Sequence, residues 1–132
     1  DVVCQSKKRF FSANIATAYP EEAEVNRWVR AYSLGKKQLT ITDEFSLKSA
    51  KAPNQVNFLA WGKVDISVPG KVTIEVQGQK VTLEYPRELT VGIETAELPD
   101  TRLSNVWGPE IYRITLKDKE ARLTGKYKFV IK

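Results

Sequence analysis

The sequence lacks histidine altogether and has a single cysteine, Cys4, among its 132 residues. Without histidine the chain has neither the commonest general base nor the commonest zinc ligand of proteins. One cysteine excludes an internal disulfide and a cysteine-ligated metal cluster. Because no histidine can act as its base, we expect Cys4 to be a buried or incidental thiol. The usual catalytic residues therefore do not predict a self-contained active site.

Long apolar runs and nucleotide-binding motifs are missing too. No stretch approaches the roughly 18 apolar residues of a membrane helix, so no membrane insertion is expected. Glycine-rich phosphate loops, paired cysteines and Walker motifs are absent. The first residues, DVVCQSKK, show no signal-peptide order and enter strand-like sequence without an initial methionine. We interpret the chain as a piece of a longer protein.

Basic residues are only moderately in excess over acidic residues. The 21 basic and 16 acidic residues give a net charge of +5, which weakly favours a polyanionic partner such as an acidic polysaccharide. The basic residues are scattered, and the densest cluster is residues 7–9. Aromatic and basic residues alternate in the segment KYKF, but this pattern indicates aromatics facing a core and lysines facing water. We therefore expect no nucleic-acid partner.

Apolar and polar residues alternate with a period of two through most of the chain, which is typical of half-buried strands. The clearest case is a long hairpin that turns at residues 35–37. One predicted face of its first strand carries Trp28, Arg30, Tyr32 and Leu34. The matching face of its second strand carries Leu39, Ile41, Asp43, Phe45 and Leu47.

Further strands are predicted along the rest of the chain. They cover residues 56–59, 64–68, 72–76, 81–85, 89–93, 111–116 and 127–131. Pro69-Gly70 has type II turn chemistry, and Gln77-Gly78-Gln79 is a second turn. The one helix-like segment, Glu21 to Val25, is too short to stand alone. The sequence thus predicts a single all-β domain, residues 1–132, with nine or ten strands in two antiparallel packed sheets; the alternative is a closed barrel.

Candidate ligand-binding residues combine aromatic and basic side chains. Trp61 and Lys63 form a predicted sugar platform, because an indole face stacks on a pyranose while an ammonium group meets a carboxylate or sulfate. Trp107 has the same Trp-Gly context, and Arg30 lies on the predicted face of Trp28. The alternative for each tryptophan is ordinary core packing.

Carboxylates and tyrosines are also candidates, for cation binding and for base catalysis respectively. Glu21, Glu22 and Glu24 could hold a cation, but neighbouring residues of an extended chain point in opposite directions. Tyr19 and Tyr112 could act as bases if positive charge lay nearby. No third group accompanies either tyrosine, so we predict no catalytic residue, no metal site and no cofactor.

Five ordered segments carry a family resemblance. They are TAYPEEAEVNRWVRAYSL, LTITDEFSL, AKAPNQVNFLAWGKVDISVPGKVTIE, LSNVWGPEIYRITL and GKYKFVIK. Together they resemble the C-terminal β-sheet region of heparinase II/III-like polysaccharide lyases, over nearly the whole chain.

The resemblance implies a parent enzyme with a preceding helical toroid that cleaves uronic-acid-containing polysaccharide by β-elimination. In such enzymes the catalytic groups come mostly from the helical part, and a histidine often comes from the central β-region. This chain has no histidine, so neither that residue nor the family's zinc site is expected within it. The implied partners are the helical domain of the same parent and an acidic polysaccharide, in the periplasm or outside the cell.

Three roles follow, in order of preference. The first is a docking domain that packs on the helical toroid and contributes to a substrate groove. The second is a stand-alone carbohydrate-binding module for acidic glycans, and the last is an independent enzyme. An apolar exposed patch favours docking, whereas a groove lined by aromatic residues and lysine favours sugar binding.

Overall fold

The computed structural model describes residues 1–132 and contains eleven strands and one α-helix. The strands are β1 (Val2–Gln5), β2 (Phe10–Asn14), β3 (Val25–Leu34), β4 (Leu39–Leu47), β5 (Gln55–Ala60), β6 (Lys63–Val68), β7 (Lys71–Val76), β8 (Gln79–Glu84), β9 (Leu89–Glu97), β10 (Glu110–Asp118) and β11 (Thr124–Ile131). The helix is α1 (Thr101–Trp107), and single 3-10 turns occur at Ser6–Lys8, Ala16–Ala18 and Glu21–Ala23. With seven residues, α1 is too short to cross a lipid bilayer.

The strands form two antiparallel sheets. The large sheet has the order β1-β2-β3-β4-β11-β8-β7-β6, and the small sheet has the order β5-β10-β9. Both sheets are open, so the predicted all-β sandwich is confirmed and the barrel alternative is wrong. The strand count is eleven where nine or ten were predicted, and the hairpin β1–β2 is the part that the prediction did not include.

The predicted long hairpin is present as β3 and β4, which pair from Val25 opposite Leu47 to Leu34 opposite Leu39. Its face with Ile41, Asp43 and Phe45 is buried, as the alternation predicts. The Pro69-Gly70 turn joins β6 to β7, and Gly70 has the positive φ of 82° that type II geometry requires.

Two local predictions differ from the structure. The helix-like segment at Glu21 is only the 3-10 turn Glu21–Ala23, and Val25 already begins β3. Cys4 is exposed on the edge strand β1 and not buried, which leaves the alternative of an incidental thiol.

Thirteen buried hydrophobic residues fill the space between the sheets. Aromatic rings form the centre of this core: Phe45 stacks on Trp28 with ring centroids 5.0 Å apart, and Tyr127 follows at 5.1 Å from Phe45. Phe129 of the large sheet meets Phe58 of the small sheet edge-to-face at 5.2 Å. This contact joins the two layers, since the two residues belong to facing sheets.

The small sheet covers only part of the large one. Cross-strand pairs extend the core-side face of the large sheet from Tyr32 on β3 to Phe11 on β2 and Cys4 on β1. Over these strands the face is open, since Phe11 is 41% exposed and Val2 is 68% exposed. The face of the large sheet over strands β1 to β3 is therefore not covered by the small sheet, and we call this face the shelf.

Candidate functional site

Trp61 and Trp107, two of the predicted ligand-binding residues, meet at one end of the small sheet. Their indole rings pack edge-to-face with centroids 6.1 Å apart and planes at 82°. Trp61 directly follows β5, and Trp107 is the last residue of α1. The side chain of Asp100 caps α1 by accepting a hydrogen bond from the backbone N–H of Arg102 at 2.9 Å, which fixes where the helix begins.

The two tryptophans line a groove of about 380 Å³ whose lining residues are all apolar. The groove residues are Leu59, Ala60, Trp61, Leu98, Leu103, Trp107 and Ile111. Within this lining Leu59 is 71% exposed, and Val106, which precedes Trp107 on α1, is 63% exposed. No side chain of the lining can donate a hydrogen bond to a sugar hydroxyl except the indole N–H groups, so the groove is suited to apolar contact.

Lys63 and Arg30, the other two predicted ligand-binding residues, lie outside this groove. Lys63 is exposed at the start of β6, opposite Glu75 on β7. Arg30 lies in the middle of β3, opposite Asp43 on β4. The structure therefore brings the two tryptophans together in a groove that neither cation lines.

Arg30 forms a bidentate ion pair with Asp43. Its Nε lies 2.7 Å from Oδ1 and its Nη2 lies 2.6 Å from Oδ2. The Asp43 side chain is fully buried, whereas the Arg30 side chain is 28% exposed. The hydrogen bonds from Arg30 to Asp43 raise the pKa of the guanidinium, against the opposing effect of burial. Asp43 therefore fixes the orientation of a permanently charged group that still reaches solvent.

Aromatic rings flank Arg30 along the uncovered shelf. Tyr32 follows it by two residues on the same face of β3, and the ring of Phe11 lies 6.3 Å from that of Tyr32. Tyr19, which is 40% exposed, packs on the buried Trp28 at 5.9 Å on the other side. We call Phe11, Tyr19, Arg30 and Tyr32 the Arg30 face.

A second polar cluster lies beneath the turn between β10 and β11. The Tyr127 hydroxyl donates to Asp118 Oδ2 at 2.7 Å, and Arg122 Nε lies 3.1 Å from the same oxygen. Burial raises the pKa of Asp118, but the hydrogen bonds from Tyr127 and the Glu120 amide, with the charge of Arg122, outweigh it and lower the pKa overall. Burial and the Asp118 carboxylate raise the pKa of Tyr127. Tyr127 and Asp118 are both buried and bonded to each other, so the cluster ties β11 to β10.

Replacing Tyr127 by phenylalanine should lower the free energy of unfolding by about 1–3 kcal/mol at neutral pH, because Asp118 stays buried and loses a donor. Since the folded-state pKa of Asp118 is lowered, the stability that it contributes is complete above its unfolded pKa and is lost as the pH falls through the folded pKa. The difference between the two proteins should therefore shrink in acid. Urea unfolding at neutral and acidic pH measures it, and a difference that grows in acid would contradict the assignment.

The remaining candidates have structural partners. The Tyr112 hydroxyl donates to Glu110 at 2.7 Å, which raises the pKa of Tyr112. Glu24 accepts hydrogen bonds from the Ser49 hydroxyl and from Lys51, which lower its pKa. No three acidic or cysteine side chains converge as they do in a metal site.

No protein-family model matches this sequence. No curated protein sequence matches it either. Among solved structures, the chain is similar to part of a protein described as heparinase III, the BT4657 gene product with methylated lysines. The two share 16% sequence identity at a TM-score of 0.58, over 92% of this chain and 19% of that chain. This chain therefore has the fold of a β-sheet domain that occupies about a fifth of a heparinase III.

Proposed function

We propose that this chain is the C-terminal β-sandwich domain of a heparinase II/III-like polysaccharide lyase that works in the periplasm or outside the cell. In this proposal the parent enzyme cleaves uronic-acid-containing polysaccharide by β-elimination, and its catalytic groups lie mainly in a helical domain. The sandwich packs on that helical domain and contributes one wall of the substrate groove. The sequence segments that resemble this family and the fold shared with a part of heparinase III support the assignment.

The observation that carries the docking role is the apolar groove between Trp61 and Trp107. A contiguous apolar surface around a 380 Å³ groove is unfavourable in water and typical of an interface. Its occupant in the proposal is an apolar side chain or helix face of the helical domain. A sugar fits less well, because its hydroxyl groups would be buried against apolar side chains without hydrogen-bond partners.

The test compares the 132-residue chain with the complete gene product from which it comes. Leu59→Asp or Val106→Asp should change the free energy of unfolding of the isolated chain by no more than about 1 kcal/mol, because both side chains are mostly exposed. In the complete gene product the same carboxylate would be buried against apolar surface. We expect its lyase activity, followed by ultraviolet absorbance of the unsaturated product, to fall by at least about tenfold.

Val68→Asp is the matched control. Val68 is 50% exposed on β6, away from the groove, and the substitution introduces the same charge. It should leave the activity of the complete gene product unchanged. The docking role is wrong if Leu59→Asp and Val68→Asp have equal effects there, and the lyase assignment is wrong if the complete gene product releases no unsaturated uronate from any acidic polysaccharide.

A further inference from the structure

We propose that the Arg30 face binds a sugar ring that carries an oxyanion, either a carboxylate or a sulfate. The Arg30 guanidinium holds the oxyanion, and Tyr19 and Tyr32 contact the sugar on either side. The site is separate from the groove between the two tryptophans. It rests on the proposed function only for the idea that the ligand is a sugar.

The first support is the set of unused hydrogen-bond donors on Arg30. A guanidinium carries five N–H groups, and the contacts with Asp43 use one on Nε and one on Nη2. Both N–H groups of Nη1 have no protein acceptor, and Nη1 is not among the buried polar atoms that lack a partner. They therefore reach solvent. One of them lies parallel to the second N–H of Nη2, which also has no protein acceptor, and such a pair on two nitrogens is the geometry that binds a carboxylate or sulfate.

The second support is that the guanidinium is held in place before any ligand arrives. Asp43 is completely buried and grips two of the guanidinium nitrogens, so the side chain cannot rotate freely. Binding an anion then costs little side-chain entropy. The pair also has no net charge, so recognition depends on donor geometry and only weakly on long-range attraction. We therefore expect modest affinity with limited sensitivity to salt.

The third support is the aromatic surface on both sides of Arg30. Trp28 and Tyr32 lie two residues before and after it on the same face of β3, which places them about 13 Å apart along the strand. Tyr19 covers Trp28, so a tyrosine borders the guanidinium at each end. Neither tyrosine hydroxyl makes a hydrogen bond within the protein, and each offers a donor and an acceptor to sugar hydroxyls. A disaccharide fits this length, with its anionic group at the centre.

The shelf that holds these residues is accessible because the small sheet stops short of it. Phe11 and Tyr19 are 41% and 40% exposed, although Phe11 packs on the half-buried Tyr32 and Tyr19 packs on the buried Trp28. The exposed Tyr19 and the half-buried Tyr32 beside an oriented arginine differ from the Trp61–Trp107 groove, where no cation lines the surface. The two surfaces therefore suit different partners.

The experiment is an NMR titration of the ¹⁵N-labelled chain with three trisaccharides. A mannuronate trimer carries only carboxylates, sulfated maltotriose carries only sulfates, and maltotriose is neutral. We expect the Arg30 Nε–H signal to shift with at least one anionic sugar, with a Kd below about 10 mM, and maltotriose to bind at least about tenfold more weakly. The two anionic arms show which oxyanion the site prefers.

Tyr19→Ala and Tyr32→Ala should each weaken binding about fivefold to tenfold, because each removes an aromatic contact with the ring. Trp107→Ala, which removes an aromatic residue from the other surface, should leave the affinity unchanged. The amide spectra report whether each variant is folded. The proposal is overturned if no trisaccharide shifts the Arg30 signal at about 10 mM, if maltotriose binds equally well, or if Tyr32→Ala binds like the wild type.

The two proposals fail in different ways. If the anionic sugars do not bind but Leu59→Asp inactivates the complete gene product, the oxyanion site is wrong and the docking role stands. If they bind but the complete gene product has no lyase activity, the Arg30 face stands as a binding site and the lyase assignment is wrong.

Discussion

Replacing Arg30 by methionine should lower the free energy of unfolding by about 3–5 kcal/mol, because the fully buried Asp43 carboxylate would lose its only cationic partner. Charge burial without compensation is among the most destabilising changes known for a single residue. Methionine preserves most of the side-chain volume, so the loss of packing contributes little. Urea unfolding followed by tryptophan fluorescence measures the change.

An exposed pair of similar geometry provides the control. Arg113 and Glu94 also pair across two strands, with Nη2 and Oε2 2.6 Å apart, but both side chains are about half exposed. Arg113→Met should therefore cost no more than about 1 kcal/mol. The double variant Arg30→Met with Asp43→Leu should recover much of the loss, because no unpaired charge remains. Equal effects at Arg30 and Arg113 would show that burial of Asp43 does not determine the cost.

Replacing Gly62 by alanine should destabilise the protein by about 4 kcal/mol, because a strained backbone and a steric clash add together. A Cβ at this position would lie 2.3 Å from the carbonyl oxygen of Glu75 and 2.8 Å from Cγ2 of Val76. Gly62 also has a φ of +95°, which costs a non-glycine residue about 1–3 kcal/mol by itself. Because a backbone oxygen cannot move away as a side chain can, β7 would have to shift from the turn before β6.

Gly78→Ala separates these two contributions. Gly78 has a similar φ of +78°, but no atom lies within 4 Å of a Cβ built there. Its replacement should cost only about 1 kcal/mol, which is the backbone part of the effect. Thermal unfolding of the two variants gives the comparison. If both lose the same stability, the close approach of Gly62 to β7 does not contribute, and the tryptophan groove next to it is not positioned by that contact.

The alternation of side chains predicts which residues share a face, and this was enough for the hairpin β3–β4 and for the sandwich. It places Arg30 and Trp28 on one face, where the structure also has them. It cannot predict which strands become neighbours, because that depends on pairing between distant parts of the chain. For this reason the sequence could not tell that Trp61 and Trp107 meet, or that Arg30 lies elsewhere.

Helix α1 was missed because seven residues are too few for a clear helical period. A signal was nevertheless present: Asp100 is a good N-cap residue, and Leu103, Val106 and Trp107 follow with the spacing of one helical face. The pairing of Arg30 with Asp43 could also have been inferred, since both lie at inward positions of one hairpin and an unpaired inward charge is costly. Its buried partner is what distinguishes Arg30 from the scattered surface cations.

The position of β11 in the large sheet governs the order in which this domain can fold. It is the last strand of the chain, yet it lies between β4 and β8. It pairs with β4 from Thr124 to Ile131 but reaches β8 only near its end, through Val130, Ile131 and the backbone hydrogen bonds between Lys132 and Thr82. Until β11 has been synthesised, strands β1–β4 and strands β6–β8 form two separate units of the large sheet. The edges of β4 and β8 that β11 will join stay unpaired during this time. A nascent chain from which β11 has not yet emerged therefore cannot complete the large sheet, so we expect this domain to fold only after that strand has left the ribosome.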